Sequence, residues 1–260
     1  MSRQRTVVKV GTSTLTYENG KMNYRRVEAL CKVLCDLHNS GEDILLVSSG
    51  AIGVGMGKTG LSRRPESTKK KQALAAIGQC ELMFMYDKLF GEYNHNVAQI
   101  LLTADVVETD HTRQNIANTI EELLEMDIIP IINENDTVAI DEIYGKNFGD
   151  NDMLSAIVSG IVEADRLIIL TDIDGLYDRD PHQGDAKLLP VVHGVTEEIR
   201  AMAGGSVSGV GTGGMVTKLD AAEMVNRAGI PMVLANGADP EKLYAIAQGE
   251  SIGTLFEVVK

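Results

Sequence analysis

Two lysines occupy positions where a purely structural segment has little use for a charge. Lys9 lies two residues before Gly11 at the end of an apolar run, and Lys218 follows the glycine-rich segment 209–216 on the predicted first turn of a helix. Free backbone amides, a helix N-terminus and an ammonium group together favour a polyphosphate. Lys9 could instead extend from a sheet edge, and Lys218 could be a solvated residue of a surface loop. For Lys218 we favour phosphate binding, and for Lys9 we favour a functional role over a sheet-edge position, without assigning its ligand at this point.

Carboxylates and amides cluster after the apolar run 127–132. The cluster spans residues 133–139 (NENDTVA) and 148–156 (FGDNDMLSA). Its polar members are Asn133, Glu134, Asn135, Asp136, Asp150, Asn151 and Asp152. Helix capping explains one of them, either Asn151 or Asp150 before Met153. The others indicate a ligand or metal site.

A run of small residues, SSGAIGVG (48–55), follows another predicted strand. Small residues at a strand end let backbone amides approach a ligand, and Ser48 and Ser49 add hydroxyl donors. A tight strand-to-helix turn would use the same residues. The run is therefore compatible with either role.

Several familiar sequence motifs are absent, are incomplete, or lack the structural context that their function requires. The pattern G-x-G-x-x-G begins at Gly55 and again at Gly209, but neither copy sits in the strand–helix–strand unit that a dinucleotide requires. A P-loop ending at Gly57–Thr59 would need glycine where Ile52 stands. The motifs HExxH and G-x-S-x-G are absent, and the five histidines are scattered, which argues against a zinc hydrolase or an α/β-hydrolase.

The elements that must position these residues alternate along the chain. Apolar runs predict strands at 6–10, 43–47, 97–102, 127–132, 166–170 and 231–235. Amphipathic patterns predict helices at 23–38, 67–90, 113–126, 152–163, 217–228 and 239–247. This alternation is typical of an α/β fold, a three-layer αβα sandwich with a mainly parallel central sheet. Loops at the carboxyl ends of such strands are where ligands bind.

Composition excludes other classes of protein. The 260 residues carry 24 Lys and Arg against 37 Asp and Glu, a formal charge of −13, and no Trp. That balance is unfavourable for binding nucleic acid or an anionic membrane. Three cysteines without a C-x-x-C pair provide neither a disulfide framework nor a four-thiolate zinc site. With no long apolar run, we expect a soluble, cytoplasmic single domain.

Taken in order, the segments resemble the amino-acid kinase family from Val7 to Phe256. The segments that carry the resemblance are VVKVGTSTL (7–15), LVSSGAI (46–52), KQALAAIGQ (71–79), PIINENDTV (130–138), FGDNDMLSA (148–156), TDIDGLYDRDP (171–181) and GTGGMVTKLDAA (211–222). The resemblance implies one kinase domain over 1–260, with a glutamate-binding part at about 1–165 and a nucleotide-binding part at about 166–260. Many relatives append a C-terminal domain that resembles RNA-binding modules, and we expect no such domain within these 260 residues.

The activity implied by the resemblance is transfer of the γ-phosphoryl group of ATP to the γ-carboxylate of L-glutamate. The product is L-glutamyl 5-phosphate, in the first step of proline biosynthesis. By the same resemblance, Lys9 and Lys218 hold the phosphates and Asp152 orients the lysines, as the catalytic residues. The implied nucleotide-binding residues are Lys9, Thr171, Asp172, Thr212, Gly213, Gly214, Met215, Val216, Thr217 and Lys218. Magnesium would be bound mainly through the ATP phosphates, with no protein metal ligand.

Glutamate is expected against Ser49, Asp136 and Asn151, the positions that match the family pattern. Asp136 suits the substrate ammonium, while Ser49 and Asn151 can donate to carboxylate oxygens. The loop 137–148 is longer than expected for the family, which leaves its effect on the glutamate site open. Feedback inhibition by proline is a weaker expectation from the same region.

Two alternatives remain open at this point. One is a kinase for another small acid, such as N-acetylglutamate or aspartate, although an acylated amine would leave Asp136 with less purpose. The other is a non-catalytic amino-acid sensor, which would be expected to lose a lysine or the orienting acid. A homo-oligomer, dimer or tetramer, is also expected because residues 82–86 (LMFMY) form an apolar run on a long helix.

Overall fold

The fold is built on one twisted sheet in a computed structural model that describes residues 3–17, 19–138, 151–181, 184–203 and 214–258. The strands of the described residues are β1 (Gln4–Val10), β2 (Glu42–Ser48), β3 (Val97–Leu102), β4 (Ile129–Glu134), β5 (Arg166–Thr171), β6 (Val191–Val192), β7 (Met232–Asn236) and β8 (Thr254–Phe256). Their order across the sheet is β3-β4-β2-β1-β5-β7-β8-β6. Neighbouring strands are parallel except β7 and β8.

Helices cover both faces of this sheet. They are α1 (Thr12–Leu15), α2 (Tyr24–Asn39), α3 (Ala51–Thr59), α4 (Thr68–Gly91), α5 (Asp110–Glu125), α6 (Asn151–Ile161), α7 (Glu197–Ala203), α8 (Met215–Arg227) and α9 (Lys242–Ala247), with a 3-10 turn at Ala104–Val107. Successive strand residues face opposite layers: Val7 packs with the α5–α6–α8 layer and Val8 with the α2–α4–α9 layer. The predicted three-layer sandwich is confirmed.

All six predicted strands are present, and the differences lie at short elements and boundaries. The strand expected at 127–132 runs instead from Ile129 to Glu134, so Asn133 and Glu134 belong to β4 rather than to the loop after it. Helices α1, α3 and α7 and strands β6 and β8 were not predicted. They are short or rich in glycine, and local periodicity is weakest in such segments.

The glycines of α3 allow two helices to pack in backbone contact. A Cβ atom on Gly78 of α4 would lie 1.7 Å from the carbonyl oxygen of Ala51, and one on Gly55 of α3 would lie 2.0 Å from the carbonyl oxygen of Leu74. Gly57 is equally close to Gly20, whose carbonyl oxygen would lie 2.3 Å from a Cβ. The first G-x-G-x-x-G pattern therefore serves helix packing, which holds the end of β2 in place.

Replacing Gly78 by Ala should lower the free energy of unfolding by at least about 3 kcal/mol, because backbone atoms on both helices would have to separate. At Gly91, in the last turn of the same helix, a Cβ would meet nothing within 4 Å. Gly91→Ala is therefore the matched control and should change stability by about 1 kcal/mol or less, in the stabilising direction. Urea unfolding measures both, and equal values for the two variants would contradict this packing.

The apolar run 82–86 is mostly core and not a surface patch, contrary to the expectation from sequence. Leu82, Met85 and Tyr86 are buried, whereas Phe84 is 61% exposed. Ile77, two helical turns before Phe84, is 38% exposed, so these two side chains lie on the same outer face of α4. Among the described residues, no helix is both long enough and apolar enough to cross a membrane.

Candidate active site

Three buried charged side chains meet where the central parallel strands end. Lys9 Nζ lies 2.6 Å from Asp152 Oδ1, and Lys218 Nζ lies 3.1 Å from Asp152 Oδ2. Relative exposures are 3% for Lys9, 0% for Asp152 and 6% for Lys218. One carboxylate therefore joins two ammonium groups from distant parts of the chain.

Strand alternation and helix starts bring these groups together. Lys9 has the same parity as Val7, so its side chain leaves β1 toward the α5–α6–α8 layer. Asp152 is the second residue of α6, and Lys218 lies in the first turn of α8 after the N-cap Gly214. The N-termini of two helices, each with a partial positive charge, thus border the lysines, which favours an anion.

The electrostatics of the cluster leave a local positive charge. Burial of the Asp152 carboxyl raises its pKa, but the ammonium groups of Lys9 and Lys218 outweigh burial and hold the pKa at about 2. Asp152 is therefore ionised at neutral pH. Counted over Lys9, Asp152 and Lys218 alone, two ammonium groups face one carboxylate, a charge of +1, in a chain whose formal charge is −13.

Thr217 adds a hydroxyl group beside the same carboxylate. Its Oγ1 lies 3.1 Å from Asp152 Oδ2 and 2.9 Å from the carbonyl oxygen of Gly214. The side chain thereby links the start of α8 to α6. Of the other residues expected near the nucleotide in this segment, Met215 is buried and Val216 is 48% exposed.

Polar side chains next to the ion cluster form a second group. Asn151 Nδ2 donates to the carbonyl oxygen of Ser48 at 2.8 Å and to Asn133 Oδ1 at 2.7 Å. The hydroxyl groups of Ser48 and Tyr86 share a hydrogen bond of 2.9 Å. Ser49 Oγ is buried without a hydrogen-bond partner among the described residues, and an orphaned hydroxyl of this kind is available to a ligand.

The remaining residues expected at the site differ in their exposure and in whether the structure describes them. Thr171 ends β5, and its Oγ1 donates to Asp172 Oδ1 at 3.1 Å. Asp172 is exposed, and Asp136 is half-buried two residues beyond β4. Thr212, Gly213 and most of the loop 137–148 lie outside the described residues, so their expected roles stay predictions.

Sequence reasoning assigned no role to Gln79, although it stands in one of the segments that carry the resemblance. Its Oε1 accepts a hydrogen bond of 2.8 Å from Asn133 Nδ2. The spacing of α4 does not predict this contact because Gln79 and Asn133 are 54 residues apart. The contact between Gln79 and Asn133 follows only once the fold has placed α4 against the end of β4.

A model of the amino acid kinase family matches residues 4–236. The chain belongs to the amino acid kinase family. It is 58% identical to a glutamate 5-kinase of Clostridium perfringens over 99% of this chain and 96% of the relative. It is 52% identical to a glutamate 5-kinase of Listeria monocytogenes over 97% of this chain and 92% of that relative.

Solved structures of two other kinases share the fold at low sequence identity. An isopentenyl phosphate kinase of T. acidophilum superimposes with a TM-score of 0.67 at 17% identity, covering 98% of this chain and 100% of that one. A UMP kinase of Bacillus anthracis gives 0.65 at 15% identity, covering 98% and 96%. Together they confirm the mainly parallel sheet between helical layers that defines the amino acid kinase fold here.

Proposed function

We propose that this chain transfers the γ-phosphoryl group of ATP to the γ-carboxylate of L-glutamate, forming L-glutamyl 5-phosphate for proline biosynthesis. The observation that carries the proposal is the 58% identity to a glutamate 5-kinase along 99% of the chain. The Lys9–Asp152–Lys218 cluster supplies a site with the charge that phosphoryl transfer needs.

Phosphoryl transfer to a carboxylate requires the protein mainly to position the two substrates and to neutralise charge. A carboxylate attacks phosphorus without a general base, so catalysis consists of in-line alignment and neutralisation of the transferring group. Lys9 and Lys218 approach from the sheet and from α8, and both can contact phosphate oxygens. Asp152 holds the two ammonium groups at a fixed separation, which lowers the cost of arranging them around the nucleotide.

Magnesium fits this arrangement as an ion that arrives with ATP. Both oxygens of Asp152 face lysine ammonium groups, and no group of three or more His, Cys, Asp or Glu side chains among the described residues could hold a metal ion. The phosphate oxygens would therefore be its main ligands, with water completing the shell. Bound there, the ion neutralises charge on the phosphates.

Glutamate is placed beside the cluster by Ser49, Asp136 and Asn151. The unpartnered hydroxyl of Ser49 can donate to a substrate carboxylate, and the carboxylate of Asp136 suits the α-ammonium. We assign about 1–165 to the glutamate-binding part and about 166–260 to the nucleotide-binding part. In this assignment ATP contacts Thr171, Asp172 and residues 214–218, and Thr212 and Gly213, which lie outside the described residues, stay predicted contacts.

The reaction is tested by trapping the product. Incubation with ATP, magnesium, glutamate and hydroxylamine should yield γ-glutamyl hydroxamate, with ADP formed in equal amount. Aspartate and N-acetylglutamate serve as parallel substrates, and proline added to the glutamate reaction tests the proposed feedback inhibition. Product from one of the other acids and none from glutamate would refute the substrate assignment.

We also propose that the protein self-associates through the outer face of α4 that carries Ile77 and Phe84. Phe84→Ser should shift the molecular mass measured by light scattering toward the monomer at micromolar concentration, because it removes the largest apolar side chain exposed there. Met126→Ser, at a side chain of similar exposure after α5, is the control. A wild-type monomer at that concentration would overturn the proposal.

A cytoplasmic location is consistent with the thiols. Cys31, Cys35 and Cys80 are all free, and Cys80 is exposed. Exposed free thiols persist in a reducing compartment. ATP and glutamate would be the partners of the protein there.

A further inference from the structure

Thr254, the first residue of β8, lies beside the turn that follows β5. Strand β8 runs antiparallel to β7, so it starts near the edge of the sheet at which β7 ends, and Thr254 pairs with Leu234. The Thr254 side chain is 0% exposed. The turn after β5, residues 172–176, begins with Asp172, which the family resemblance places at the nucleotide. A buried hydroxyl to which the resemblance assigns no role therefore borders the expected ATP site.

The Thr254 hydroxyl bridges two backbone segments. Its Oγ1 accepts a hydrogen bond of 2.8 Å from the backbone N–H of Leu176 and donates one of 2.7 Å to the carbonyl oxygen of Leu189. An N–H group only donates and a carbonyl oxygen only accepts, so the direction of both bonds is fixed. The single proton of the hydroxyl is thereby used on Leu189.

The two bridged segments also pair with each other directly. The N–H of Leu189 donates to the carbonyl oxygen of Leu176 at 2.8 Å, and Tyr177 and Leu188 form an antiparallel bridge. In a regular antiparallel pair, the N–H of Leu176 would donate in return to the carbonyl oxygen of Leu189. The Thr254 hydroxyl takes the place of that return bond. Strand β8 thus sets the separation of the two segments at the base of the turn.

Glycines allow the start of β8 to approach the turn this closely. A Cβ atom on Gly175 would lie 2.5 Å from Thr254 Oγ1. A Cβ atom on Gly253 would lie 2.1 Å from the carbonyl oxygen of Leu234 and 3.0 Å from that of Asp174. The turn, the start of β8 and β7 are therefore packed in backbone contact, and a shift of the turn requires a shift of its neighbours.

We propose that Thr254 is a positioning residue for the nucleotide, because its hydroxyl holds the turn 172–176 in the conformation that binds ATP. Thr254 contacts the backbone of the turn and is fully buried, so it acts through the turn and is not itself a ligand. This inference rests on the proposed function, because it takes Asp172 to contact ATP.

Loss of the hydroxyl has a defined structural consequence. The N–H of Leu176 and the carbonyl oxygen of Leu189 would be left without their partner, which is costly for buried backbone groups. They can recover a hydrogen bond by closing on each other, as in a regular antiparallel pair. That closure draws Leu176 away from β8 and moves the turn with it.

Substitutions of Thr254 separate nucleotide binding from general damage. Thr254→Val keeps the shape of the side chain and removes both hydrogen bonds. KM for ATP should rise about tenfold or more, whereas KM for glutamate should change less than about twofold. Thr254→Ser restores the hydroxyl and should bring KM for ATP to within about threefold of the wild-type value. Steady-state rates at varied ATP and at varied glutamate measure these constants.

Thr6→Val is the matched control, toward the amino-terminal end of β1. Thr6 is also 0% exposed, and its Oγ1 donates to Glu42 Oε2 and accepts from Arg166 Nε, each at 2.8 Å. Loss of these two bonds should lower the midpoint of thermal unfolding and leave KM for ATP unchanged. An unchanged KM for ATP in Thr254→Val, an equal rise in Thr6→Val, or no recovery in Thr254→Ser would overturn the positioning role. A wild-type protein that is inactive with glutamate and ATP would instead refute the proposed function.

Hydrogen exchange in the wild-type protein keeps the inference testable if Thr254→Val does not fold. If the held turn favours nucleotide binding, bound nucleotide must favour the held turn by the same factor. The backbone N–H of Leu176 should therefore exchange about tenfold more slowly when ADP is added, and glutamate alone should leave its rate unchanged. The amides of α2 serve as the reference for global stabilisation. Slowing of Leu176 no greater than that of α2 would contradict the proposal.

Discussion

Replacing Lys218 or Lys9 by Ala is expected to reduce kcat about 10³-fold, because each ammonium group neutralises charge that develops on the transferring phosphoryl group. The two lysines reach Asp152 from different layers of the fold, so neither can take over the position of the other. A steady-state assay with glutamate and ATP at saturating concentrations measures the effect.

The lysine variants should also be less stable, because Asp152 would keep only one buried counter-charge. A loss of about 3 kcal/mol in the free energy of unfolding is expected for each variant. Activity is therefore measured well below the midpoint of thermal unfolding. Lys88→Ala, at an exposed position in the last turn of α4, controls for loss of a lysine alone. Turnover near that of wild type in both Lys9→Ala and Lys218→Ala would refute the assigned roles.

The second large effect is expected at Asp152. Asp152→Asn keeps the shape of the side chain but leaves two buried ammonium groups facing a neutral amide. The free energy of unfolding should fall by about 3–5 kcal/mol, and kcat should fall about 10²-fold or more. Asp87→Asn, on the exposed face of α4, is the matched control and should have neither effect.

The pH dependence of stability gives an independent test of this carboxylate. The pKa of Asp152 is about 2 in the folded protein against an ordinary value of 3.8, so the unfolded chain binds its proton first as pH falls. The stabilisation is complete above about pH 4 and is lost as pH falls toward 2. The stability difference between wild type and Asp152→Asn should therefore shrink by about 2 kcal/mol over that range. A difference independent of pH, measured by urea unfolding at each pH, would contradict ionisation of Asp152 in the folded state.

The local hydrophobic pattern of the sequence was sufficient to predict most of the strands and helices. Short, β-branched apolar runs such as 166–170 favour strands buried on both faces, and their alternation with amphipathic segments favours a parallel sheet between helices. Pattern was insufficient for α3, because its glycines weaken helix propensity. Contact with Gly78 of α4 explains why those glycines are there, and that contact is invisible along the chain.

For the candidate active site, too, the sequence determined some features and the tertiary structure decided others. The sequence by itself determined which residue types were available: Lys9 at the end of an apolar strand, Lys218 at a helix start, and Asp152 among amides. The tertiary structure alone decided that Asp152 lies between the two lysines and that Asn151 donates to the carbonyl oxygen of Ser48. Those outcomes depend on contacts between residues 66 to 143 positions apart, because Lys218 and Lys9 are that far from Asp152 along the chain and Ser48 is 103 positions from Asn151. A single sequence encodes such contacts only through the fold that brings the strand ends and helix N-termini together.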